Sequence, residues 1–526
     1  MNTTRVGGFL GLNNRLPDSA LATEKGRWLR EAENVDIDNA GRVRRRKATS
    51  LIQALSAPHS LYTTTDGFRY MVAGGIMYSV TLPSYTQSLF KILSNNNPVS
   101  YAEYLGSLYY SNGTDSGRIE AGTWYPWALP TPANPLIATI GGTLYKGWYQ
   151  VAVSYLNGAT GEEGGVSPSS NYELAADGGL RIALPGATPG ATHVNVYVST
   201  VNGAIPMLVG TVATGTTTFD YTAPGSLGRE ANQRYETPIP AGIPFLHNSR
   251  LCTYTANTVY IGIPARPGYY IPTDPRLEFP SDVTNAISGQ NGVYVTADKT
   301  YWFAGTDLLD AQNVVDVLPF GGVLGTAFSV PYKPLVGWFS PKGFVIADTS
   351  GQATAPMLDN IDLTPPASGV TTVLSSDGYY RAVSCGWCMN LENTAVSQYT
   401  GYDFTSISGT YATGAGGIYD LASAGALDAH VSLGKENFGG ENLKHLPACY
   451  LGVSAETPME LRVTTPEDED YRYEARSSSA DMRMQRVDPG KGLRANWYEL
   501  SLYNTEGSAF TLASVSFAPV ASGRRI

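Results

Sequence analysis

Charge is scarce in this sequence. Of its 526 residues only 15% are Asp, Glu, Lys or Arg, where about 25% is usual for a soluble globular chain. Cysteine is scarcer still: 4 in the whole chain are too few for a disulfide framework, and synthesis in a reducing cytosol is the simpler reading. No run of about 18 apolar residues exists, which excludes a membrane-spanning helix. Met1 to Arg15 holds no continuous apolar stretch ahead of its second arginine, so no secretory signal is expected.

Histidine is nearly missing as well. His59, His193, His247, His430 and His445 are the only five, and none lies within four residues of another. There is no Gly-x-Ser-x-Gly, no phosphate-binding glycine loop and no His-Glu-x-x-His, so no nucleophile, nucleotide site or metalloprotease is announced. A sialidase-like propeller would carry Ser-x-Asp-x-Gly-x-Thr-Trp repeats. The nearest string, Gly113-Thr-Asp115-Ser-Gly117, lacks the Ser and the Thr-Trp in place. No catalytic, cofactor-binding or metal residue is expected, no cofactor, and no enzymatic activity. Helical patterning is also rare. The best candidate runs from Ser19 to Ala32, with Asp18 or Ser19 as cap and Leu21, Trp28 and Leu29 as apolar positions; Gly26 interrupts it, which predicts a short helix or an irregular segment.

What is abundant is the chemistry of strands and turns: 57 Gly, 33 Pro and 34 Tyr, with many Thr, Val and Ser. At roughly 150 residues per domain the length allows two to four domains. The fold class expected is all-β. Short apolar strands recur around Gly, Asn or Asp turns. Examples are Leu61-Tyr62 with Tyr70 to Ala73 and Ile76 to Tyr78, Tyr104 to Tyr110, and Leu251 to Tyr254 with Thr258 to Ile261. Val293 to Val295 with Thr300 to Gly305, and Gly337 to Ser340 with Lys342 to Ala347, repeat the theme. Hairpins every 40–50 residues or so read as the blades of a β-propeller.

Between Pro130 and Pro238 the texture changes. From Thr131 to Gly228 only seven charged residues occur: Lys146, Glu162, Glu163, Glu173, Asp177, Arg181 and Asp220. Tyr149/Val151/Val153/Tyr155, Leu180/Ile182/Leu184 and Val194/Val196/Val198 alternate with other residues, the rhythm of an immunoglobulin-like β-sandwich of about 100 residues. The predicted organisation is an N-terminal arm and hairpin (1–50), a first part of the propeller (51–130), the inserted sandwich (131–237), and the rest of the propeller with C-terminal strands (238–526).

Few strings suggest chemistry. Cys385-Gly386-Trp387-Cys388 follows a strand-like run, Tyr379 to Ser384, and on an uninterrupted strand residues three apart face opposite sides. Structural thiols are the leading reading; a zinc set completed by His445 and Cys449, and thiol exchange, are the others. Asp36-Ile37-Asp38-Asn39-Ala40-Gly41 begins like a calcium loop, but Ala40 and Lys47 stand where the fifth and twelfth ligands belong. A hairpin turning at Asp38 to Gly41 explains the same letters. The acidic run Glu467 to Asp470 reads as an exposed loop.

Charge is unevenly spread. Residues 1–50 carry ten Lys/Arg against six Asp/Glu, a balance of +4, and the other 476 carry 25 against 39, a balance of −14. A mostly acidic body argues against a general duplex-DNA binder. The basic run Arg42, Arg44, Arg45, Arg46 and Lys47 is a solvated strand, a contact with a neighbouring subunit, or a contact with DNA at a channel mouth.

Phe9-Leu-Gly11-Leu-Asn13-Asn14-Arg15, then Ala32-Glu-Asn34-Val-Asp36-Ile-Asp38 and Gly41-Arg-Val-Arg44-Arg45-Arg46, resemble the opening of the tail-tube nozzle or packaged-DNA stabilisation proteins of short-tailed bacteriophages. Tyr109 to Gly113, Trp124 to Trp127, Gly343 to Asp348, Ala395 to Tyr399 and the ending Ser522 to Ile526 look like the same group. Gly161-Glu162-Glu163 and Val194 to Ser199 are similar to fibronectin type III-like inserts of phage structural proteins. The resemblance implies a β-propeller of about six blades, repeated as a homohexameric ring below the portal and adaptor proteins. That ring would extend the DNA channel, carry tail fibres or spikes, pass phage DNA without sequence specificity and retain it until ejection. It implies a virion protein made in the host cytoplasm, without a membrane anchor. Arg42, Arg44, Arg45, Arg46, Lys47, Arg524 and Arg525 are the expected interface residues. The rival expectations are a receptor-binding or fibre-anchoring tail protein whose insert touches a host glycan, and a propeller-type glycan hydrolase.

Overall fold

A computed structural model describes residues 4–305, 308, 314–376, 378–490 and 492–522. The chain divides into two compact units, Met1–Ile92 with Gly289–Trp302 and Val315–Ile526, and Leu93–Ser288 with Phe303–Val314. Both are all-β. Among the described residues the one helical piece in the element order is a single 3-10 turn, Asp18–Ala20.

The segment 19–32 is where the local reading fails. After that turn the chain runs through strands Ala22–Thr23, Gly26–Leu29 and Glu31–Glu33. Leu21, Leu29 and Ala32 are fully buried among other strands, so tertiary burial outweighs the weak helical spacing.

In the first unit the hairpins resolve into four-stranded antiparallel meanders. One comprises His59–Thr63, Arg69–Ala73, Ile76–Thr81 and Thr86–Ile92. Another comprises Phe328–Ser329, Val336–Ser340, Gly343–Ala347 and Ala353–Thr354, whose two middle strands are buried almost throughout because both sheet faces are covered. Thr371–Ser376, Tyr379–Ser384, Trp387–Asn390 and Val396–Gln398 form a third antiparallel run.

The fourth meander, Ser406–Ser408, Tyr411–Gly414 and Gly417–Ser423, is completed by Ala48–Ala54 from the other end of the sequence. Its first strand lies against the first strand of the 59–92 sheet. Leu61 N donates to Ser406 Oγ at 2.7 Å and Thr63 N to Ser408 Oγ at 2.8 Å. The earliest and latest meanders of the chain are therefore neighbours.

Residues from 430 on, within the stretch expected to hold the rest of the propeller and C-terminal strands, pair with strands from the start of the chain. His430–Glu436, Tyr498–Tyr503, Glu460–Thr464 and Asp470–Glu474 extend the 371–398 run into a nine-stranded sheet, with Glu31–Glu33 as the joining strand. A six-stranded sheet comprises Ser479–Val487, Cys449–Ala455, Phe510–Phe517, Val43–Arg45 and Val35–Ile37 in order, with Thr4–Gly7 also pairing Phe510–Phe517. Residues of both sheets share one apolar core that includes Val43, Val431, Leu451, Leu461, Leu500 and Val515. Each such fully buried side chain contributes about 1.5–3 kcal/mol.

The second unit holds two further four-stranded meanders, within 100–125 and 243–278. Between them in sequence, a three-stranded sheet (Ile137–Leu144, Gly178–Ala183, Thr218–Tyr221) and a four-stranded sheet (Ser170–Leu174, Gly147–Leu156, His193–Val198, Met207–Ala213) share a core. That core is made of the alternating residues: Tyr149, Val151, Val153, Tyr155, Leu180, Ile182, Val194, Val196 and Val198.

Candidate functional site

The N-terminal motif residues converge on a buried polar centre in the first unit. Val35–Ile37 and Val43–Arg45 form the expected hairpin, with Val35 opposite Arg45 and Ile37 opposite Val43. Its turn is closed by Gly41 N to Asp38 O at 2.9 Å, while Asp38 Oδ1 accepts from Ala40 N and Arg42 N, both at 2.9 Å. Gly41 (φ +70°) fits because an added Cβ would lie 2.7 Å from Gly8 Cα. The turn is saturated by backbone amides, which accounts for the calcium-like letters without an ion.

Asn34, in the left-handed region at φ +53°, is the hub. Asparagine tolerates that conformation better than other non-glycine residues. Its N–H donates to Gln398 O (2.7 Å), its carbonyl accepts from Arg46 N (2.9 Å), and its Nδ2 donates to Thr400 Oγ1 (2.6 Å) and Asp428 O (2.9 Å). Its Oδ1 accepts from Arg46 Nε and Thr400 N, both at 3.0 Å. Beside it Asp36 accepts the Tyr399 hydroxyl, with Arg381 Nε at 3.5 Å and Cys388 Sγ at 3.9 Å. Burial, then Asp36, drives the Tyr399 hydroxyl well above its ordinary value, so it stays a donor.

The predicted basic run is divided by this arrangement. Arg46 is 3% exposed; besides Asn34 it donates to Lys47 O (2.9 Å) and Thr400 O (3.0 Å), and its guanidinium lies over the Tyr399 and Tyr402 rings at 4.7 and 5.2 Å. Arg45 Nη1 donates to Gly425 O at 2.7 Å and Gly507 O at 3.1 Å. Arg44 is half-buried, and its neighbour Arg42 is exposed and paired with Asp38 at 2.8 Å. Lys47 is exposed. The run is thus not one basic face: Arg45 and Arg46 fasten the fold, and Arg42 and Lys47 face solvent. Arg524 and Arg525 lie outside the described residues.

Cys385 lies in a two-residue hairpin turn and Cys388 on the strand that follows it, so the two are not spaced along one uninterrupted strand. Cys385 (φ +53°) and Gly386 (φ +76°) form the turn, and Cys388 is buried on the returning strand. Burial and the nearby Asp36 push the Cys388 thiol up to about 12, and burial also raises Cys385, so neither offers a thiolate at neutral pH. Among the described residues no group of three or more His, Cys, Asp or Glu could hold a metal ion.

The second unit has its own paired carboxylates, the half-buried Glu162 and the buried Glu163. Glu163 Oε1 accepts from Ser154, Tyr197 and Asn195 Nδ2 (3.0 Å), and Oε2 pairs with Arg229. Burial alone raises this carboxyl, but the four donors together outweigh it and hold it below the usual glutamate value. Glu162 binds Arg118 Nη2 at 2.6 Å and the Tyr269 hydroxyl at 2.8 Å, and Tyr269 Oη accepts from Leu129 N at 2.8 Å. Arg266 closes the group, donating to Glu163 O and to Glu236 Oε2, both at 2.7 Å. These bonds fix the 137–221 sandwich to the meanders on either side of it in sequence. The charge-poor composition hid this, although both glutamates stood out as two of the seven charges there.

The acidic run is, as read, an exposed turn between Glu460–Thr464 and Asp470–Glu474. Sequence reasoning missed two exposed aromatics of the insert. Tyr145 is 66% and Trp148 53% exposed, and Trp148 sits opposite Glu173 on the neighbouring strand.

No protein-family model matches the chain, and no curated protein matches it. Among solved structures it is similar to BamB from Moraxella catarrhalis, 12% identical over 71% of this chain and 98% of that one, with a TM-score of 0.24. A glycoside hydrolase family 43 arabinoxylan arabinofuranohydrolase from Bacillus subtilis is 8% identical over 74% of this chain and 96% of that one, with a TM-score of 0.18. The extracellular domain of a one-component system from B. thetaiotaomicron is 9% identical over 90% of this chain and 59% of that one, with a TM-score of 0.20. Likeness at these values carries no inference about activity.

Proposed function

We propose that this chain is a structural subunit of a bacteriophage tail, a ring-forming nozzle that prolongs the DNA channel below the portal and adaptor and retains the genome until ejection. The observation that supports it most is where the resemblance lies. The Ala32–Asp38 and Gly41–Arg46 motifs and the distant Ala395–Tyr399 motif meet through Asn34, Asp36, Arg46, Gln398 and Tyr399. A likeness held in such residues is a likeness of scaffold, as expected for proteins that share an architecture and a mechanical role.

In this reading the meanders are the blades of a closed β-propeller. The strand order supplies seven, counting the run within 371–398 and the Asn285–Leu318 sheet, against the about six expected. Closure is favoured by Ala48–Ala54 completing the last blade, which leaves no unfinished sheet where first and last meet. The 137–221 sandwich is the immunoglobulin- or fibronectin-like insert. The −14 balance outside residues 1–50 suits a passage along which phosphate slides instead of sticking. Arg42 and Lys47 remain as basic contacts for a neighbouring subunit or the adaptor. Closed rings use head-to-tail interfaces.

One observation favours a second reading, a receptor-binding tail protein: exposed Trp148 lies directly across from exposed Glu173, an aromatic and acidic pair suited to stacking on and hydrogen bonding a sugar, and Tyr145 is a second exposed aromatic of the insert. Light scattering of the purified protein, with and without a portal–adaptor complex, separates the two. A six-chain ring, alone or on the adaptor, is the expected result. A smaller species that ignores the adaptor and adheres to host cells would replace the nozzle with the receptor binder.

A further inference from the structure

A row of side chains crosses the outer face of the six-stranded sheet in the first unit. Across Thr4–Gly7, Phe510–Phe517, Cys449–Ala455 and Ser479–Val487, Arg5 lies opposite Ser516, Ser516 opposite Tyr450 and Tyr450 opposite Arg486. The Ala475–Val487 bridge then brings Arg476 beside Arg486, whose carbonyl accepts from Arg476 N at 2.9 Å. The next residues along each strand, Val6, Val515, Leu451 and Gln485, are buried on the inner face, so with period two the row faces solvent. Arg5, Arg476 and Arg486 are all exposed.

Asp488 ties the two edge arginines together: Arg486 Nε donates to its Oδ1 at 2.6 Å, and Arg476 Nε pairs with its Oδ2. Among the described residues no hydrogen bond holds the terminal amino groups of either guanidinium, and Arg5 has no ion pair. Glu474 and Arg472, two and four residues before Arg476 on the same side of its strand, cancel each other in charge. Three arginines against Asp488 leave this face basic, in a body whose balance outside residues 1–50 is −14.

Its complement stands at the other end of the same run of chain. The turn before Asp470–Glu474 is closed by Asp468 N to Thr465 O at 3.0 Å and Thr465 N to Glu469 O at 3.1 Å. It presents Glu467, Asp468 and Glu469 to solvent, and among the described residues no cation pairs with them. Asp470 and Arg476 are separated by about 20 Å of extended chain, so the turn does not reach the row of its own copy. We propose that the acidic turn of one copy docks on the arginine row of the next, as part of the head-to-tail contact of the ring. Two different, complementary patches are what a heterologous contact requires. Carboxylates suit the unused guanidinium forks, and charge complementarity of this kind decides which faces meet. The contact rests on the ring-forming reading and names its two faces.

The test is light scattering of the full chain over a concentration series, alone and with a portal–adaptor complex. Arg476→Glu with Arg486→Glu, or Glu467→Lys with Glu469→Lys, raises the concentration for half-assembly by about tenfold or more. An equimolar mixture of the two variants recovers assembly, because each carries the face the other needs and a ring of even number can alternate them. Misfolded variants would not recover; thermal melting checks each one separately. A ring that ignores both reversals, or a mixture that fails to recover, overturns this contact and leaves the ring reading standing. A native chain that never assembles, alone or on the adaptor, overturns both. If the arginine reversal leaves the mass unchanged but abolishes retention of a single-stranded oligonucleotide, the row belongs to phosphate and the contact falls.

Discussion

Asp36 and Glu163 are both buried carboxylates held by a tyrosine hydroxyl, yet they draw partners from different distances. Glu163 is satisfied by Ser154, Asn195, Tyr197 and Arg229, which lie 9 to 66 residues away. Asp36 takes Tyr399, 363 residues on, and the adjacent Asn34 takes Thr400, 366 residues on. The first arrangement forms within a locally completed sandwich. The second cannot form until most of the chain exists, and it ties an N-terminal hairpin into sheets made much later. Burial of a carboxylate is therefore local architecture in one unit and long-range closure in the other.

The contrast sharpens if each centre is broken separately. Arg46→Ala removes three hydrogen bonds and two ring contacts and leaves Asn34 short of a donor; a loss of about 2–4 kcal/mol is expected, read as an earlier denaturant midpoint for the first unit. Glu163→Gln should cost about 2–3 kcal/mol, with faster amide exchange confined to 137–221 and unchanged protection of Val35–Ile37. Because the folded carboxyl of Glu163 is held below its usual value, its contribution is complete above about pH 4.3 and is lost as pH falls through the lower folded value. The stability gap between native protein and Glu163→Gln should accordingly narrow in acid, which a urea series from pH 7 to pH 3 measures.

Tyr399→Phe removes one hydroxyl from Asp36 and should cost about 1–2 kcal/mol by thermal melting. At the small end, Arg42→Ala with Lys47→Ala should cost about 1 kcal/mol or less, because Lys47 faces water and the Arg42–Asp38 pair is open to solvent on its Arg42 side. The same variant tests the ring: unchanged assembly on the adaptor would remove these two residues from the interface.

Much of this was readable from the residues, and the failures have a physical pattern. The alternation Tyr149/Val151/Val153/Tyr155 placed an inner face correctly because period two is a local property. The hairpin at Asp38–Gly41 was legible from its turn chemistry. Trp28 and Leu29 misled, since helical spacing over one short stretch cannot show that Glu31–Glu33 is wanted as a strand between Val396–Gln398 and His430–Glu436. Arg46 misled in the same way: within a string of cations it looked like surface, and Tyr399, Tyr402 and the Thr400 carbonyl that hold it lie more than 350 residues away. The Glu162–Glu163 anchor was visible only as two charges where few occur.

The strand Ala48–Ala54 has a consequence for how the protein is made. Its partner Gly417–Ser423 leaves the ribosome about 370 residues later, which at roughly 5–20 residues per second is a wait of some 20–75 s. Throughout that interval a seven-residue ribbon carrying Leu51 and Ile52 has no mate, and any unpaired edge of a second nascent chain is a competitor for it. A chain that stops before Gly417 keeps that ribbon unmatched, so only the nearly complete polypeptide covers this edge with its own residues.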